Sequence, residues 1–506
     1  MSFRPFGGVF DTQDNLLIKQ DVSGSAFGDP AFVEIQPKVQ IEGLYGIRPS
    51  VHETFSATGG TTDTTGGKFR CQSGTSAGGY GVIRSRRQIH YQPGLGIIGR
   101  FTSTFTAGVA TSFQAAGFLN AEDAVCFGYD GTSFGVLRRS AGTIEIRRLT
   151  ITTPAGGAET ATVTLNGTAY NISVSNGTAA HNAYEIAVDT SFTGSWDAFQ
   201  NGSTITFIFL GTGAKSGTYS LTSTGVLAGT FSQIQAGVAD TNSWVAQGSW
   251  NHDTFDGTGP SGYTLAPANL NLYQVDFGYL GAANICYRIY NPNTGRFELA
   301  HCIERAGSET TPILQNPTLR LGYSAASLGS TGTNLIVTGA SMCAYQVGVV
   351  EPRELPHARI ATAQVATGNW EEILTIRVQG EFTDRVNLRE VIPQIARFAV
   401  DGTKPAEVGV FIWQDHEDHM KLGESNFAYQ EEDDSCVEYV EETAVTFGAG
   451  SGERLIASAP VAKTGSVKID LTAMNVTLER TEVLTLAARA TSGSTDVTAS
   501  LTWTED

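Results

Sequence analysis

Hydrophobic and polar residues alternate with a period of two along much of this chain, which is the pattern of half-buried β-strands. The alternation is visible over Arg84–Tyr91 and Gly99–Ala110. Asp130-Gly131 separates the strand-like runs Ala124–Tyr129 and Phe134–Leu137, which predicts a β-hairpin. Further strands are predicted at Leu270–Tyr279, Ile285–Tyr290, Arg296–Cys302, Ile373–Val378, Val408–Trp413, Val467–Leu471 and Ala499–Trp503.

Residues 151–245 follow a different pattern. Asn166-Gly167 predicts a second hairpin, and Ala179–Ala187 places apolar residues at helical spacing. With strands near Thr204–Leu210 and Gly217–Thr222, the predicted order is β-β-α-β-β. Because the flanking segments read as one continuing sheet, we expect an insert within a β-sandwich.

The composition supports an all-β chain. It is 41% hydrophobic and only 16% charged, with 58 glycines among 506 residues. Such a composition is typical of many short strands joined by tight turns. Prolines at 352 and 356 indicate a boundary before a further β-domain, 357–506.

The net charge of −18 is unevenly distributed, since residues 351–506 hold 27 acidic and 13 basic side chains. Nucleic acids and anionic membranes both attract basic surfaces, so we expect neither as a partner.

Met1–Gln20 has no apolar core segment, which predicts no signal peptide, and no run is long enough for a membrane helix. The six scattered cysteines predict free, mostly buried thiols and synthesis in a reducing cytosol.

Two motifs resemble catalytic or metal sites. Gly74–Gly78 matches GxSxG around Ser76, but a nucleophile elbow needs a helix after the serine and none is predicted.

His416 and His419 stand among carboxylates and could bind zinc. Because Asp415–Glu442 holds 11 acidic residues and one lysine, we expect a solvated acidic loop instead.

Asp253 and Asp256 could serve glycoside hydrolysis or hold calcium. No strand carries a same-face E-x-D-x-x-E run, so we expect a turn capped by the aspartates.

The arginine clusters alternate across strands, which favours surface or subunit contacts over nucleic acid; they are Arg84, Arg86 and Arg87, then Arg138-Arg139 and Arg147-Arg148.

Three groups of segments together resemble a family of virion structural proteins of tailed phages, notably marine ones, and of some large DNA viruses. The first group is Ser85–Gly94 through Arg100–Thr102 with Phe127–Gly135; the second is Trp250–Gly262 with Tyr279–Gly281; the third is Leu374–Arg377, Val391–Pro393 and Leu501–Glu505. The most specific is D-G-T-G-P-S-G at Asp256–Gly262. The family commonly has Asp-Lys-Leu or Asp-Lys-Met where this chain has Asp253-Thr254-Phe255, and the first 40 residues match nothing known to us.

The resemblance implies a non-enzymatic structural component of a virus particle, with a phage as the first expectation: a fibre, spike, neck or capsid-associated protein. It transfers no catalytic, cofactor-binding or metal-binding residue, and we expect no cofactor. The expected fold is all-β. An N-terminal arm (1–40) precedes a split jelly-roll sandwich of the concanavalin A-like kind (41–150 and 246–350), with the insert at 151–245 and an acidic C-terminal β-sandwich at 357–506.

Two other functions remain open. A jelly roll of this kind often binds glycans, so a host-glycan adhesin on the virion is the alternative. Trp196 and Trp244 could stack on sugar rings if exposed, but we expect structural aromatics at both positions. A glycan-degrading enzyme is the third. The expected location is the virion, assembled in the host cytoplasm. The expected partners are other virion proteins and further copies of the chain, a trimer first.

Overall fold

The computed structural model describes residues 9–10, 16–17, 35–192, 194–278, 280–348, 356–423, 429–431, 435–441, 445–448 and 452–505. Most of the predicted arm and the boundary residues 351–355 lie outside this set. Backbone contacts divide the chain into two compact units. Unit 1 is Met1–Ala141 with Thr241–Val350, and unit 2 is Gly142–Asp240 with Glu351–Asp506.

The elements of the first half follow in chain order. Eleven strands come first: β1 (Val9–Phe10), β2 (Leu16–Leu17), β3 (Ile35–Glu42), β4 (His52–Ala57), β5 (Thr61–Thr65), β6 (Lys68–Gln72), β7 (Tyr80–Ser85), β8 (Gly96–Phe105), β9 (Ser112–Leu119), β10 (Ala124–Asp130) and β11 (Ser133–Ser140). Gly142–Asp240, called the inserted segment below, holds β12 (Ile144–Thr153), β13 (Glu159–Leu165), β14 (Thr168–Val174), helix α1 (Ala179–Ala187), a 3-10 turn (Thr190–Phe192), β15 (Trp196–Asn201), β16 (Thr204–Thr212), β17 (Ser220–Ser223) and β18 (Ala228–Gln235).

Unit 1 then resumes with β19 (Thr241–Ala246), a 3-10 turn (Gln247–Ser249), β20 (Asn271–Gly278), β21 (Ile285–Asn291), β22 (Arg296–Ile303), β23 (Leu321–Ser327), β24 (Ile336–Gly339) and β25 (Ser341–Val347). Residues 356–505, called the C-terminal sandwich below, hold β26 (His357–Ala366), β27 (Trp370–Val378), β28 (Glu381–Phe382), β29 (Arg385–Val386), β30 (Val391–Val400), β31 (Ala406–Trp413), helix α2 (His416–Gly423), β32 (Gln430–Glu431), β33 (Val437–Glu441), β34 (Thr446–Phe447), β35 (Arg454–Val461), β36 (Ser466–Asp470), a 3-10 turn (Thr472–Met474), β37 (Val483–Ala490) and β38 (Ser494–Glu505).

Unit 1 is a jelly-roll β-sandwich. One sheet has the order β19-β11-β10-β9-β23-β7-β4, and the other runs β22-β21-β20-β8-β24-β6-β5, with β25 pairing β8 and β3 pairing β25. The consecutive strands β6, β7, β8 and β9 alternate between the two sheets, which is how a jelly roll winds. The all-β, jelly-roll class predicted from the sequence is confirmed.

Strand β8 shows how the alternation builds this core. Phe101, Ser103 and Phe105 point inward and are at most 1% exposed, whereas Arg100 and Thr102 lie on the opposite face and are half-buried. Aromatic rings from both sheets meet between them: Phe127 lies 4.7 Å from Tyr273 and 5.4 Å from Tyr287, centre to centre. The contact with Tyr287 is edge-to-face, and such contacts add to the burial of apolar area.

The inserted segment leaves and rejoins unit 1 on paired strands, because Ser140 of β11 lies opposite Thr241 of β19. Its strands form sheets with the orders β15-β16-β12-β18 and β14-β13-β17. Helix α1 has the bounds predicted from the sequence and buries Ala183, Ile186 and Ala187. The Asn166-Gly167 turn also forms, since Leu165 pairs with Thr168 and both turn residues have positive φ.

The C-terminal sandwich pairs the sheet β26-β38-β30-β36 with the sheet β32-β33-β27-β37-β31-β35, to which β34 adds beside β27. It belongs to the same compact unit as the inserted segment. Whether 151–245 folds by itself, as the sequence suggested, stays a prediction. None of the helices in the described ranges is long and apolar enough to cross a bilayer.

The prediction of six free thiols is wrong for one pair. Cys286 and Cys302 form a disulfide between neighbouring strands β21 and β22, where they lie directly opposite each other. A spacing of 16 residues gave no sign of this contact, because it depends on the strand register. The other cysteines are free, and three of them are buried: Cys71, Cys126 and Cys436.

Candidate functional site

The loop between β19 and β20 is built on the carboxylate of Asp253, which is 5% exposed. Its Oδ1 accepts the backbone N–H of Phe255 and its Oδ2 that of Ser261, each at 2.7 Å. A Cβ atom on Gly259 would lie 2.2 Å from Oδ1, so this close approach requires glycine. Both oxygens therefore hold the backbone, as the predicted aspartate-capped turn requires.

The same loop is anchored in the core of unit 1. Phe255 is fully buried and Trp250 is 5% exposed, with their ring centres 6.3 Å apart. Asp256 caps the next turn, because its Oδ1 accepts both the backbone N–H and the hydroxyl of Thr258. These two hydrogen bonds lower the pKa of the Asp256 carboxyl. The most specific segment of the sequence resemblance thus forms a self-capped structural loop.

The GxSxG match is a plain loop, as predicted. Ser76 is exposed between β6 and β7, and the following element is a strand rather than a helix. Gly74 adopts a φ of +66° and a Cβ atom there would lie 2.6 Å from the carbonyl oxygen of Gly59. Both glycines of the match therefore have backbone explanations: Gly74 by its close packing and positive φ, and Gly78 by its φ of +77°.

The prediction of a solvated loop at His416–His419 is wrong. These residues form the first turn of α2, and both histidines are buried. Nε2 of His419 lies 2.7 Å from Oε1 of Glu372, and Nε2 of His416 donates to the carbonyl of Ala198 at 3.0 Å. Among the described residues, no group of three or more His, Cys, Asp or Glu side chains could hold a metal ion.

His416 joins the C-terminal sandwich to the inserted segment. Its ring stacks on Phe199 with centres 4.1 Å apart and planes 3° from parallel. Burial lowers the pKa of His416, and the nearby Asp415 only partly opposes this. Because Nε2 carries the proton of its hydrogen bond to the carbonyl of Ala198, Nδ1 of the neutral ring is the unprotonated nitrogen, and it is buried with no hydrogen bond.

A second contact between the same two segments is a buried ion pair. Arg377 on β27 and Glu438 on β33 lie 2.5 Å apart, with side chains 1% and 7% exposed. Arg377 also donates to the carbonyl of Gln200 at 2.6 Å, and Glu438 accepts from the amide of Asn201 at 3.0 Å. Glu438 of β33 is therefore buried and paired, although the acidic composition of the segment had suggested solvated residues.

The arginine clusters bind groups within their own unit. Nε of Arg84 donates to Glu53 at 2.8 Å, and Arg86 donates to the carbonyl of Pro49 at 3.0 Å. Burial would raise the pKa of Glu53, but the charges of Arg320 and Arg84 outweigh it and lower the pKa to about 2.

The next two clusters follow the predicted alternation across strands. Arg138 donates to the carbonyl of Ile313, and its neighbour Arg139 donates to the amide oxygen of Asn242. The remaining pair behaves alike: Arg147 lies over the ring of Tyr219, and Arg148 pairs with Glu381.

The two tryptophans proposed as sugar platforms do not present open rings. Trp196 is 3% exposed and packs against Phe209 at 5.1 Å within the core of the inserted segment. Trp244 is half-buried and packs on a small cluster that includes Cys126 and Leu137. Both are structural aromatics, which is the expectation that the sequence favoured.

The structure draws attention to a residue that sequence reasoning had not selected as functional. Arg100 lies at the centre of the nine-stranded sheet, on the outward face of β8. Its guanidinium carbon lies 5.2 Å from the ring centre of Phe297 and 5.5 Å from that of Tyr345. Arg100 is the one charged residue of strand β8, which was the available signal, but its ring neighbours come from β22 and β25.

Comparisons with known proteins identify no family for the chain. No protein-family model matches it. No curated protein matches it either.

Several solved structures share parts of its architecture at low similarity. A legume lectin-like domain from Entamoeba histolytica has 8% identity and a TM-score of 0.24, covering 61% of this chain and 97% of that one. Peanut lectin has 12% identity and a TM-score of 0.20, covering 59% and 99%. A structure of Sulfolobus Turreted Icosahedral Virus has 9% identity and a TM-score of 0.17, covering 94% and 98%. At such TM-scores these likenesses carry no argument about what the chain does.

Proposed function

We propose that the chain is a non-enzymatic structural component of a virus particle, with a bacteriophage as the first expectation. Its place would be a fibre, spike, neck or capsid-associated position, reached by assembly in the host cytoplasm. The observation that carries the proposal is the folding of Trp250–Gly262, the most specific segment of the resemblance to virion proteins. Its carboxylate, glycines and aromatic rings all serve the loop itself.

A segment used in this way supports a structural role over chemistry. A glycan-degrading enzyme would need two carboxylates about 5–9.5 Å apart across a cleft. Asp253 is buried and each of its oxygens holds a backbone N–H, so it is a poor acid or nucleophile. Asp256 is likewise engaged by Thr258.

The proposal is tested by locating the chain in purified particles. Particles from the source virus are dissociated mildly, the sub-assemblies are separated on a gradient, and peptides are quantified by mass spectrometry. Immunogold labelling of intact particles with an antibody against the chain gives its position. We expect a fixed copy number in one sub-assembly; recovery of the chain only in particle-free lysate would refute the proposal.

The expected partners are other virion proteins and further copies of the chain, a trimer first. The apolar residues of the N-terminal arm motivate this expectation, although they lie outside the side chains that the structure describes: Phe3, Phe6, Phe10, Leu16, Leu17 and Ile18. Closed symmetric oligomers are the usual form of self-association. Light scattering of the full chain and of a variant without residues 1–30 tests it, and a full-length monomer at high concentration would contradict it.

A further inference from the structure

The outward face of the nine-stranded sheet carries a row of polar side chains that the jelly-roll core does not use. Arg100 of β8 lies opposite Gln274 of β20, and Gln274 lies opposite Arg288 of β21. Asp276 follows two residues after Gln274 on the same face of β20. Three adjacent central strands therefore place two guanidinium groups and one carboxylate on one surface.

Hydrogen bonds fix the order of this row. Nε of Arg100 donates to Oε1 of Gln274 at 2.8 Å, and Nε2 of Gln274 donates to Oδ1 of Asp276 at 3.1 Å. The same Oδ1 accepts from Nε of Arg288 at 2.9 Å. Asp276 thus balances the charge of Arg288, while Arg100 binds only a neutral amide through one of its three nitrogens.

The guanidinium of Arg100 is held in place but not neutralised. The half-buried rings of Phe297 and Tyr345 lie within 5.5 Å of it, which is within the usual range for cation–π contacts. Its two terminal nitrogens have no hydrogen-bond acceptor among the described residues, and both remain accessible to solvent. A solvent-accessible, pre-oriented fork of N–H donors matches a carboxylate in geometry.

The side chains around Arg100 favour an acidic sugar over other anionic ligands. Tyr290 packs against Phe297 with ring centres 5.6 Å apart, which adds a third half-buried ring to the same face. Aromatic surface beside fixed polar groups suits the apolar face of a pyranose ring. One unbalanced arginine beside Asp276 is far less positive than a protein surface that binds nucleic acid.

We propose that this face binds an acidic glycan, with the carboxylate of a sialic or uronic acid on the terminal nitrogens of Arg100 and the sugar ring against the neighbouring aromatic rings. Gln274 and Asp276 orient Arg100 and do not contact the carboxylate themselves. The proposal goes beyond the structural role and does not depend on it. It also gives the adhesin alternative a site other than Trp196 and Trp244.

Calorimetric titration of the full-length chain tests this assignment with five probes: 3′-sialyllactose, trigalacturonate, neutral lactose, lactose sulfate and an oligo-glutamate peptide. We expect at least one carboxylated sugar to bind, and lactose to bind about tenfold or more weakly than that sugar. Arg100→Gln should weaken the carboxylated sugar about tenfold or more and leave lactose unchanged. Arg100→Lys should recover only part of the affinity, because an ammonium group lacks the fork.

Arg397→Gln is the matched control, since Arg397 is an exposed arginine on strand β30 of unit 2. It should bind like the unchanged chain. If Arg100→Gln does not fold, Phe297→Leu provides a second variant, which keeps the arginine and removes one ring. Four results would overturn the proposal: no binding of either carboxylated sugar, equal binding by Arg100→Gln, tighter binding of lactose sulfate, or equally tight Arg100-dependent binding of an oligo-glutamate peptide. Each leaves the particle-location test unaffected.

Discussion

The two units of the chain differ in their net charge and in where their charged side chains lie. Unit 1 contains 17 acidic and 16 basic residues, whereas unit 2 contains 33 and 16, so nearly all of the net charge of −18 belongs to unit 2. Unit 1 fills its core with aromatic rings and places its arginines at the sheet surface and edges. Unit 2 buries part of its charge where the inserted segment meets the C-terminal sandwich.

The difference shows what a buried polar contact does in a β-rich chain. The hydrophobic effect is non-directional, whereas Arg377 and Glu438 each need a specific backbone or amide partner on the inserted segment. Buried ion pairs often add little net stability, because desolvation offsets their attraction. We therefore assign them a role in specifying which segments join.

The largest effect should follow from breaking the buried ion pair of unit 2. Glu438→Ala leaves the guanidinium of Arg377 buried without its carboxylate, which should cost unit 2 about 3–5 kcal/mol. Urea unfolding followed by peptide-resolved hydrogen exchange should show loss of protection in β27 and β33 and none in β9 or β10. Arg377→Met combined with Glu438→Leu should recover much of the loss; an equal loss in the double variant would show that the charge is not the cause.

A smaller effect is expected at the loop Trp250–Gly262 of unit 1. Asp253→Ala removes the acceptor for two backbone N–H groups and should cost unit 1 about 2–4 kcal/mol. Asp256→Ala, at a solvent-exposed cap, should cost less than about 1 kcal/mol. Denaturant midpoints of both variants give the comparison, and equal midpoints would mean that the loop does not depend on Asp253.

Reduction of the disulfide should destabilise unit 1 and leave unit 2 unchanged. Cys286–Cys302 closes a loop of 16 residues in unit 1, and such a crosslink is worth about 3 kcal/mol in the chain-entropy account. Dithiothreitol should therefore lower the unfolding midpoint of unit 1. The single cysteine of unit 2, Cys436, is a buried free thiol, so its midpoint should not move. A shift in unit 2 alone would contradict this assignment.

Mild acidification should have the smallest effect, and it should act on unit 2. Burial lowers the pKa of His416, so the folded state takes up fewer protons than the unfolded state near its ordinary pKa of 6.5. This contribution to stability is complete above pH 6.5 and is lost as the pH falls below it. The raised pKa of Glu417, about 7, acts in the opposite direction. The free energy of unfolding is measured against pH for the unchanged chain and for His416→Gln, and the difference between the two slopes gives the contribution of His416. Identical slopes would show that His416 contributes nothing.

Local patterns in the sequence predicted much of the architecture. The hairpin turn at Asn166-Gly167 and helix α1 were found because both signals lie within a few neighbouring residues. The first hairpin also forms, although Asp130 pairs with Ser133 and leaves Gly131 and Thr132 as the turn. Strand alternation gave the all-β class for the same reason.

Long-range contacts could not be read in the same way. The disulfide depends on the register of β21 and β22, and composition placed His416 and Glu438 in solvent because their partners stand far away in sequence. The environment of Arg100 has the same origin. Its neighbours Gln274, Phe297 and Tyr345 come from three other strands of the sheet.

The central claim is that unit 2 is assembled from two chain segments while unit 1 folds without them. The most direct test replaces Gly142–Asp240 by a short Gly-Ser linker between Ala141 and Thr241, whose flanking strands are already paired. Peptide-resolved hydrogen exchange is then compared with that of the full chain. We predict unchanged protection across β9, β10 and β20, and faster exchange in β27, β33 and α2, which lose Gln200, Asn201 and Ala198. Full protection of β27, β33 and α2 in the shortened chain, or loss of protection in unit 1, would contradict the account.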